Sequence, residues 1–416
     1  MSTVSIPKGT RDLVPPEIGQ WQRLEAEVRE YFGRFLYREI RTPLFEHSEL
    51  FQRGIGDETE VVQKEMYTFT DKGGRSLTLR PENTASVVRA VIDNRLLETI
   101  FPPKFFYIGP MFRYDRPQKG RYRQFHQFGV EVFGDEGPGI DAEVIHAAIS
   151  FLIRVGIRDV SLKLNSVGCP VCRPPYLEKL REAAQAASAS LCEDCRRKAT
   201  TNPLRIFDCK GEACGAVSAT FPRITDHLCE ACRDHFAGVR SHLETLGVSY
   251  QLDSRLVRGL DYYTRTTFEV TSGQLGAQNA LLGGGRYDNL FRELGGGEIP
   301  GIGFAAGMER LILHLPADEI PARPVVFIAT QAPALLPAAL KTAATLWHEG
   351  IAATLDYHGR NLKKQLHKAD RTGARFTLVL GETEAAAGRV AVKDMISQEQ
   401  IELAVEELVP WLKARF

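Results

Sequence analysis

The segment PKFFYIGPMFRYDRPQKGRYRQFHQFGVEVFG (Pro103–Gly134) contains the pattern on which the other predictions for this chain depend. In its second half Phe128, Val130 and Val132 alternate with polar or small residues, which predicts a strand with one apolar and one polar face. The first half predicts another strand, and the loop between the two is rich in arginine. On its own the pattern indicates an antiparallel hairpin with one solvated face and a charged turn.

The same hairpin also has the features of a floor for an anionic ligand. Arg113 stands at the end of the first strand, where its guanidinium can bind a phosphate through two hydrogen bonds. Gly129 would let a flat ligand approach the backbone. Gln127 and Glu131 share the polar face and could hold a polar ligand in one orientation. The hairpin alone leaves both interpretations open.

Length and composition limit the classes of function. A chain of 416 residues, 44% of them hydrophobic, is long enough for two or three domains with cores of their own. Lys and Arg equal Asp and Glu at 52 each, so RNA binding would have to come from local basic patches. The N-terminal residues include no apolar signal segment, and no run is long enough to span a membrane. We therefore expect a cytoplasmic protein.

Recognition of a family comes from several segments in a fixed order. FRYDRPQKGRYRQFHQFGVEVFG (112–134) closely resembles motif 2 of the class II aminoacyl-tRNA synthetases, in the form that histidyl-tRNA synthetases have. YREIRTPLFEHSELF (37–51) resembles motif 1, and GIGFAAGMERLILHL (301–315) resembles motif 3. RGLDYY (258–263) and LLGGGRYDNLF (281–291) are similar to two peptides peculiar to the histidyl-tRNA synthetases. The resemblance extends over nearly the whole chain.

This resemblance implies an α+β fold with an antiparallel-sheet catalytic domain, a Cys-rich insertion domain and a C-terminal α/β anticodon-binding domain. The expected limits are 1–166 and 244–322 for the catalytic core, 167–243 for the insertion and 323–416 for the anticodon-binding domain. The sequence PARP (321–324) is the expected linker, and we expect a closing helix from Ile401. Since motif 1 forms the subunit interface in this class, the resemblance also implies a homodimer.

The activity implied is the ligation of L-histidine to tRNA(His), with ATP and Mg²⁺, through a histidyl-adenylate. The catalytic residues implied are Arg258 and Arg113. Those implied to bind histidine are Glu82, Thr84, Arg113, Gln127, Glu131, Arg258, Tyr262, Tyr263 and Tyr287. Those implied to bind ATP are Arg113, Arg121 and Arg310. Those implied to contact the tRNA acceptor end are Arg116, Gln118 and Arg123.

The chemistry of these side chains agrees with the roles. A guanidinium, which is always charged, stabilises negative charge at an α-phosphate without proton transfer. The carboxylate of Glu82 and the hydroxyl of Thr84 offer acceptors to an ammonium group. A tyrosine hydroxyl and the Glu131 carboxylate could hold the two imidazole nitrogens from opposite edges. The alternatives are that Asn83 or Thr84 caps the following helix, and that Arg258 lies exposed on a hairpin edge.

The eight cysteines all lie between Cys169 and Cys232. They form the pairs Cys169/Cys172, Cys192/Cys195, Cys209/Cys214 and Cys229/Cys232, of which all but the third have two-residue spacers. A cytoplasmic location disfavours disulfides, and the spacers suit tetrahedral Zn²⁺. One or two structural zinc ions are one interpretation, and reduced thiols left from a lost metal site are the other.

Two other classes of protein share part of this pattern. One is the synthetase-like regulatory subunit of ATP phosphoribosyltransferase, and the other is a synthetase-like sensor of uncharged tRNA. Such proteins lose the RGLDYY peptide, the C-terminal domain or active-site residues. Because all of these are intact here, the sequence favours the ligase.

Overall fold

The structure, a computed structural model, describes residues 4–56, 59–118, 120–273, 280–315 and 325–416. The chain divides into two compact units, Met1–Asp318 and Glu319–Phe416. The expected linker at 321–324 lies outside the described residues, so that the domain limits given above stay a prediction. Among the described helices, none combines the length and the apolar character needed to cross a membrane.

The first unit contains mixed helices and strands. Its strands are β1 (Arg38–Glu39), β2 (Phe45–His47), β3 (Tyr67–Thr70), β4 (Ser76–Leu79), β5 (Lys104–Phe112), β6 (Gln124–Phe133), β7 (Ser161–Ser166), β8 (Gln251–Leu252), β9 (Thr264–Thr271), β10 (Ala280–Arg286) and β11 (Gly301–Gly307). Its helices are α1 (Glu17–Arg34), α2 (Ser48–Ile55), α3 (Thr84–Asp93), α4 (Leu96–Thr99), α5 (Pro138–Arg154), α6 (Arg173–Ala186), α7 (Glu193–Thr201), α8 (Glu212–Ser218), α9 (Glu230–Thr245), α10 (Leu290–Glu293) and α11 (Met308–Ile312).

An eight-stranded sheet in the order β1-β5-β6-β11-β10-β9-β7-β8 is the centre of this unit. All neighbouring pairs are antiparallel except β1/β5 and β7/β8. The predicted hairpin is confirmed as β5/β6, with Tyr107 opposite Gly129. Strands β2, β4 and β3 form a separate small sheet.

The apolar face of the hairpin packs against α1 and α5. Phe128, Val130 and Val132 are buried, as their alternation predicts, in one cluster with Phe32 of α1 and Phe151 of α5. The rings of Phe128 and Phe151 meet edge to face at 5.0 Å. With this face covered by helices, the other face of the sheet is the one left to form a site.

Helices α6 to α9 form the Cys-rich region. This region has a small core of its own, to which Tyr176 and Leu180 belong. Seven of the cysteines, all but Cys192, are part of this core or pack against it. Helix α9 extends this region into the main core, because Phe236, Val239 and Leu243 join the cluster of the central sheet. The predicted limit between 243 and 244 falls inside this helix.

The second unit has its own sheet, in the order β13-β12-β14-β15-β16. Its elements are β12 (Val325–Thr330), α12 (Leu336–His348), β13 (Ala353–Leu355), α13 (Leu362–Arg371), β14 (Ala374–Leu380), α14 (Glu382–Ala386), β15 (Arg389–Asp394), β16 (Gln400–Ala404) and α15 (Val405–Lys413). The expected helix start at Ile401 is wrong: Ile401 pairs with Val392 in β16, and α15 begins at Val405. Pairing with β15 satisfies backbone groups that would otherwise form an open sheet edge.

Candidate active site

A cleft of about 470 Å³ lies in the first unit, next to strands β6, β9, β10 and β11. The predicted site residues that line it are Glu82, Thr84, Arg113, Arg121, Gln127, Arg258, Tyr262, Tyr263, Tyr287 and Arg310. Residues that are 228 positions apart in sequence, Glu82 and Arg310, thus contribute to one cavity. Glu131 lies behind this lining, and Arg116, Gln118 and Arg123 are not part of it.

Glu131 is the most deeply buried carboxylate of the site, with a side chain in the middle of β6 that is 1% exposed. Its oxygens accept hydrogen bonds from the Thr84 hydroxyl at 2.7 Å and from the Tyr287 hydroxyl. Burial raises the pKa of Glu131 to about 8, against the lowering effect of these two hydroxyls. The carboxyl group is therefore largely protonated at neutral pH in the ligand-free protein.

The position of Glu131 depends on a glycine in the neighbouring strand. Gly303 of β11 pairs directly with Glu131 of β6. A Cβ atom at 303 would collide with the Glu131 carboxylate and with the Val130 carbonyl oxygen. Only glycine leaves room for the carboxyl group to turn toward Tyr287.

Glu82 takes the capping role that was considered above for Asn83 or Thr84. Its carboxylate accepts the backbone N–H groups of Thr84 at 2.7 Å and Ala85 at 2.9 Å, at the start of α3. Asn83 makes no side-chain capping bond, and the Thr84 hydroxyl points to Glu131 instead. The prediction that Asn83 or Thr84 caps the helix is therefore wrong, because Glu82 does so. A carboxylate can accept from two unpaired N–H groups at the helix start, where a hydroxyl would accept from one.

Three tyrosines form an aromatic wall of the cleft. The rings of Tyr262 and Tyr263 are 4.7 Å apart, and Tyr262 meets Tyr287 edge to face at 5.6 Å. Burial raises the pKa of all three phenols, so that they remain protonated donors. Within the described part of the chain, the buried Gln127 Oε1 accepts no hydrogen bond and lines the same cleft. This wall can hold a flat, polar ring. The free amide oxygen of Gln127 can accept a hydrogen bond from a polar group of the same ligand.

Arg258 is turned into the cleft, so the exposed hairpin-edge interpretation is wrong. Strand β9 begins only at Thr264, and the preceding residues form a loop. Arg258 Nη1 donates to Glu269 Oε2 at 2.5 Å, and the guanidinium lies against Gly283 so closely that a Cβ there would collide with it. Glycine at 283 is needed for this approach.

Two further arginines of the cleft donate hydrogen bonds to backbone oxygens. Arg113 Nε donates to the Pro81 carbonyl at 2.8 Å, and Arg310 Nη1 donates to the Ala280 carbonyl at 2.5 Å. Among the described residues, neither has a carboxylate within ion-pair distance. Burial lowers the pKa of Arg310, and the positive charge of Arg121 lowers it further. Such a group of partly buried cations is stabilised by an anionic ligand that enters the cleft.

The loop between β5 and β6 divides its polar residues between two environments. Arg116 and Gln118 are exposed, and Arg121 forms an ion pair with Asp115. Arg123 is half-buried: its guanidinium lies 3.8 Å from the Tyr114 ring centre, and its backbone N–H donates to the Gly9 carbonyl at 2.7 Å. The loop is thus fixed at its base and exposed at its tip.

Two charged cleft residues, Glu269 and Lys210, were missed by reasoning from the sequence. The prediction that Gly129 lets a flat ligand approach the backbone is wrong, because the buried Tyr107 places its hydroxyl in that space. Glu269 had the signal of a carboxylate between two apolar residues of a strand. Lys210, which lies among the cysteines, had none.

The cysteines form two sets of four. Cys169, Cys172, Cys229 and Cys232 make one set, and Cys192, Cys195, Cys209 and Cys214 make the other. In each set all four Sγ atoms lie within 4.8 Å of one another. Cys169 Sγ is 3.8 Å from the Sγ atoms of both Cys172 and Cys229. Four sulfurs bound to one zinc ion at about 2.3 Å would be roughly 3.8 Å apart, so this set has the right spacing.

Comparison with known proteins gives two family matches. The profile described as histidyl-tRNA synthetase matches residues 9–311, and the one described as anticodon binding domain matches residues 325–415. The chain is 49% identical over 411 residues to a histidine–tRNA ligase of Halothermothrix orenii, covering 98% of both chains. It is 50% identical to one of Moorella thermoacetica, covering 96% of both. The crystal structure of apo S. aureus histidyl-tRNA synthetase superimposes with a TM-score of 0.83 at 38% identity, covering 98% of this chain and 99% of that one.

The raised pKa of Glu131 predicts a specific pH dependence of stability. Because the pKa is higher in the folded than in the unfolded protein, the stabilising contribution is complete below about pH 4.5 and is lost as the pH rises through about 8. Glu131→Gln keeps a neutral side chain of similar shape. We expect its midpoint of thermal unfolding, relative to that of the wild type, to be higher at pH 9 than at pH 6.

Glu298→Gln, at a side chain that is 82% exposed, is the matched control for loss of a carboxylate. The prediction fails if the difference between Glu131→Gln and wild type is the same at both pH values.

Proposed function

The chain belongs to the histidyl-tRNA synthetase family and ligates L-histidine to tRNA(His) with ATP, through histidyl-adenylate, and we propose that the cleft described above is the site of both steps. The observation that carries this proposal is the convergence of Arg113, Arg258 and Arg310 with the tyrosine wall in one cavity. A cationic end beside an aromatic, hydrogen-bonding end matches a triphosphate beside an imidazole amino acid.

In the first step, an oxygen of the histidine carboxylate attacks the α-phosphorus of ATP. A new P–O bond forms and pyrophosphate leaves. We propose that Arg258 and Arg113 stabilise the negative charge that builds up on the α-phosphate. Arg310 binds the adenine and the γ-phosphate, and Arg121 lies close to the phosphates. The carboxylates of Glu269 and Glu309, which line the cleft, would be the oxygen ligands of a Mg²⁺ ion bound with the triphosphate, whose charge the ion would offset.

Histidine is held by groups of two kinds in this proposal. Its ammonium group is bound by Glu82, Thr84 and the free oxygen of Gln127. Its imidazole is bound by the tyrosine wall of Tyr262, Tyr263 and Tyr287, with Glu131 behind it. A side chain that could not pair with these buried polar groups would leave them unsatisfied, and this is a strong source of selectivity.

In the second step, a terminal ribose hydroxyl of the tRNA attacks the carbonyl carbon of the adenylate and AMP leaves. No nucleophile of the protein is needed, so catalysis consists of positioning and charge stabilisation. We propose that the exposed Arg116 and Gln118 contact the acceptor end. We propose the same for Arg123, which would act from the base of the loop.

The regulatory-subunit alternative is less supported. The full-length relatives reported above are ligases, and the anticodon binding profile matches the C-terminal residues. We propose 1–166 and 244–322 as the catalytic core, 167–243 as the insertion domain and 323–416 as the anticodon-binding domain.

We further propose that each set of four cysteines binds one structural Zn²⁺. The support is the sulfur spacing described above and the chemistry of the donors, since four thiolates make a closed site. Bound zinc would tie together segments that are distant in sequence and so stabilise the small core of α6 to α9. Reduced thiols are maintained in the cytoplasm, which is the location we propose.

A homodimer is supported by exposed apolar side chains near motif 1. Phe45 of β2 and Phe69 of β3 are 50% and 43% exposed, and their rings are 6.3 Å apart on the small sheet. Neighbouring exposed aromatic side chains of this kind mark interaction surfaces.

Arg258 tests the proposed catalytic site. We expect Arg258→Ala to retain histidine binding in equilibrium dialysis but to lose about a hundredfold or more of its histidine-dependent ATP–pyrophosphate exchange, because a preorganised charge is missing in the transition state. Arg255→Ala, three positions earlier at a 52% exposed side chain, is the control. Near-normal exchange by Arg258→Ala would remove the catalytic role.

Metal content tests the zinc proposal. Protein purified without chelator should contain about two zinc ions per chain by elemental analysis, and the double variant Cys192→Ser/Cys195→Ser should contain about one. A wild-type protein with no bound zinc would contradict the proposal.

Dimerisation can be tested by light scattering. We expect Phe45→Glu/Phe69→Glu to convert the dimer to a monomer, since two buried charges would face each other across the interface. Phe101→Glu, at a side chain that is 89% exposed, is the control for an apolar surface residue. An unchanged dimer in the double variant would move the interface elsewhere.

A further inference from the structure

The loop Leu256–Tyr263 carries Arg258, Tyr262 and Tyr263 into the cleft and is not part of a strand. At its start, Asn165 Nδ2 of β7 donates to the Leu256 carbonyl at 2.9 Å. One backbone anchor is the Asp261 N–H, which donates to the Ile55 carbonyl at 3.0 Å. The orientation of the catalytic side chains therefore depends on what holds this loop from behind.

The support from behind comes from the Cys-rich region. The Asp261 carboxylate accepts hydrogen bonds from Asn202 Nδ2 at 3.1 Å and from Arg205 Nη2. The Arg205 side chain is only 11% exposed, and it lies close to Gly259 of the same loop. A half-buried carboxylate that binds a nearly buried guanidinium and an amide is a defined contact, unlike an exposed ion pair. We call Asn202, Arg205 and Asp261 the brace.

The brace is connected to one set of cysteines. Asn202 and Arg205 lie in the segment between Cys195 and Cys209, and both of these cysteines belong to the second set. This segment consists of the end of α7 and a 3₁₀ helix, Pro203–Asp208. A metal ion that joins Cys195 to Cys209 would close the segment into a loop and lower its conformational freedom.

Residues next to two of the cysteines also contact the cleft or its loop directly. Lys210, which follows Cys209, lines the cavity with Arg113 and Arg310. Arg173, which follows Cys172 of the first set, donates to the Tyr263 carbonyl oxygen at the other end of the loop. The Cys-rich region thus contacts the active site through Lys210 and Arg173, which each follow a cysteine, as well as through the brace.

We propose that Arg205 is a positioning residue for histidine activation, which acts through Asp261 and is itself held by the metal site of Cys192, Cys195, Cys209 and Cys214. This inference rests on the proposed function of the cleft and on the proposed zinc. It makes the second cysteine set part of the active-site architecture. Loss of its metal then weakens histidine binding without touching a residue that contacts histidine.

The test measures the KM for histidine in ATP–pyrophosphate exchange and the Kd for histidine by equilibrium dialysis, both on the full chain. We expect Arg205→Ala to raise both by about ten- to a hundredfold, because a displaced loop misplaces the binding groups. Arg205→Lys should recover only part of the affinity, since lysine keeps the charge but not the planar fork. Arg197→Ala is the control, because Arg197 lies on α7, pairs with Asp194 and is 60% exposed.

A purely structural role would lower the fraction of active protein and leave KM and Kd unchanged, so unchanged values in folded Arg205→Ala would overturn the proposal. Asp261→Asn should raise the KM and the Kd for histidine as Arg205→Ala does. The double variant Arg205→Ala/Asp261→Asn should have values no higher than those of the more affected single variant. An additive double variant would contradict the direct contact.

The metal arm uses Cys192→Ser/Cys195→Ser. It should raise the Kd for histidine in the wild-type background and have no further effect in Arg205→Ala. If the protein contains no zinc and Arg205→Ala still raises the Kd for histidine, the zinc proposal is overturned and the positioning by Arg205 stands. If the zinc content is as expected and Arg205→Ala leaves the Kd for histidine unchanged, the positioning by Arg205 is overturned and the zinc proposal stands.

Discussion

The pairing of Glu131 with Gly303 across two central strands is the constraint on which the site depends. A carboxyl group in the middle of a sheet, with no access to water, must be neutral or fully hydrogen-bonded. Here it has a raised pKa and two hydroxyl donors, Thr84 and Tyr287, which are far apart in the sequence. The absence of a side chain at 303 makes this possible. The hydrogen bonds fix β6, the start of α3 and the residue after β10 relative to one another.

Charge is organised locally in a chain that is neutral overall. Lysine and arginine balance aspartate and glutamate at 52 each, yet the cleft collects Arg113 and Arg310 without carboxylate partners among the described residues. Arg258 is different, because Glu269 holds it in place before any ligand binds. Such preorganisation lowers the reorganisation needed at the moment of reaction.

The Cys-rich region joins cysteine pairs that are distant in the sequence, and it is connected to the rest of the first unit by two sets of contacts. The first and last cysteine pairs of the sequence, Cys169/Cys172 and Cys229/Cys232, form one set, and the two pairs between them form the other. Through α9 the region shares the core of the central sheet, and through the brace it touches the loop of Arg258.

The sequence by itself determined the features that depend on local periodicity and spacing. The alternation around Phe128 to Val132 predicted the hairpin and its buried face, and the two-residue spacers of the cysteines indicated pairs of neighbouring thiols. The segments resembling known motifs predicted the family and the lining of most of the cleft. Only the tertiary structure decided which cysteine pairs combine, that Glu82 caps α3, and that Glu269 and Lys210 reach the cleft. These contacts join residues far apart in the chain, and they are set by strand order, register and packing, which no local pattern encodes.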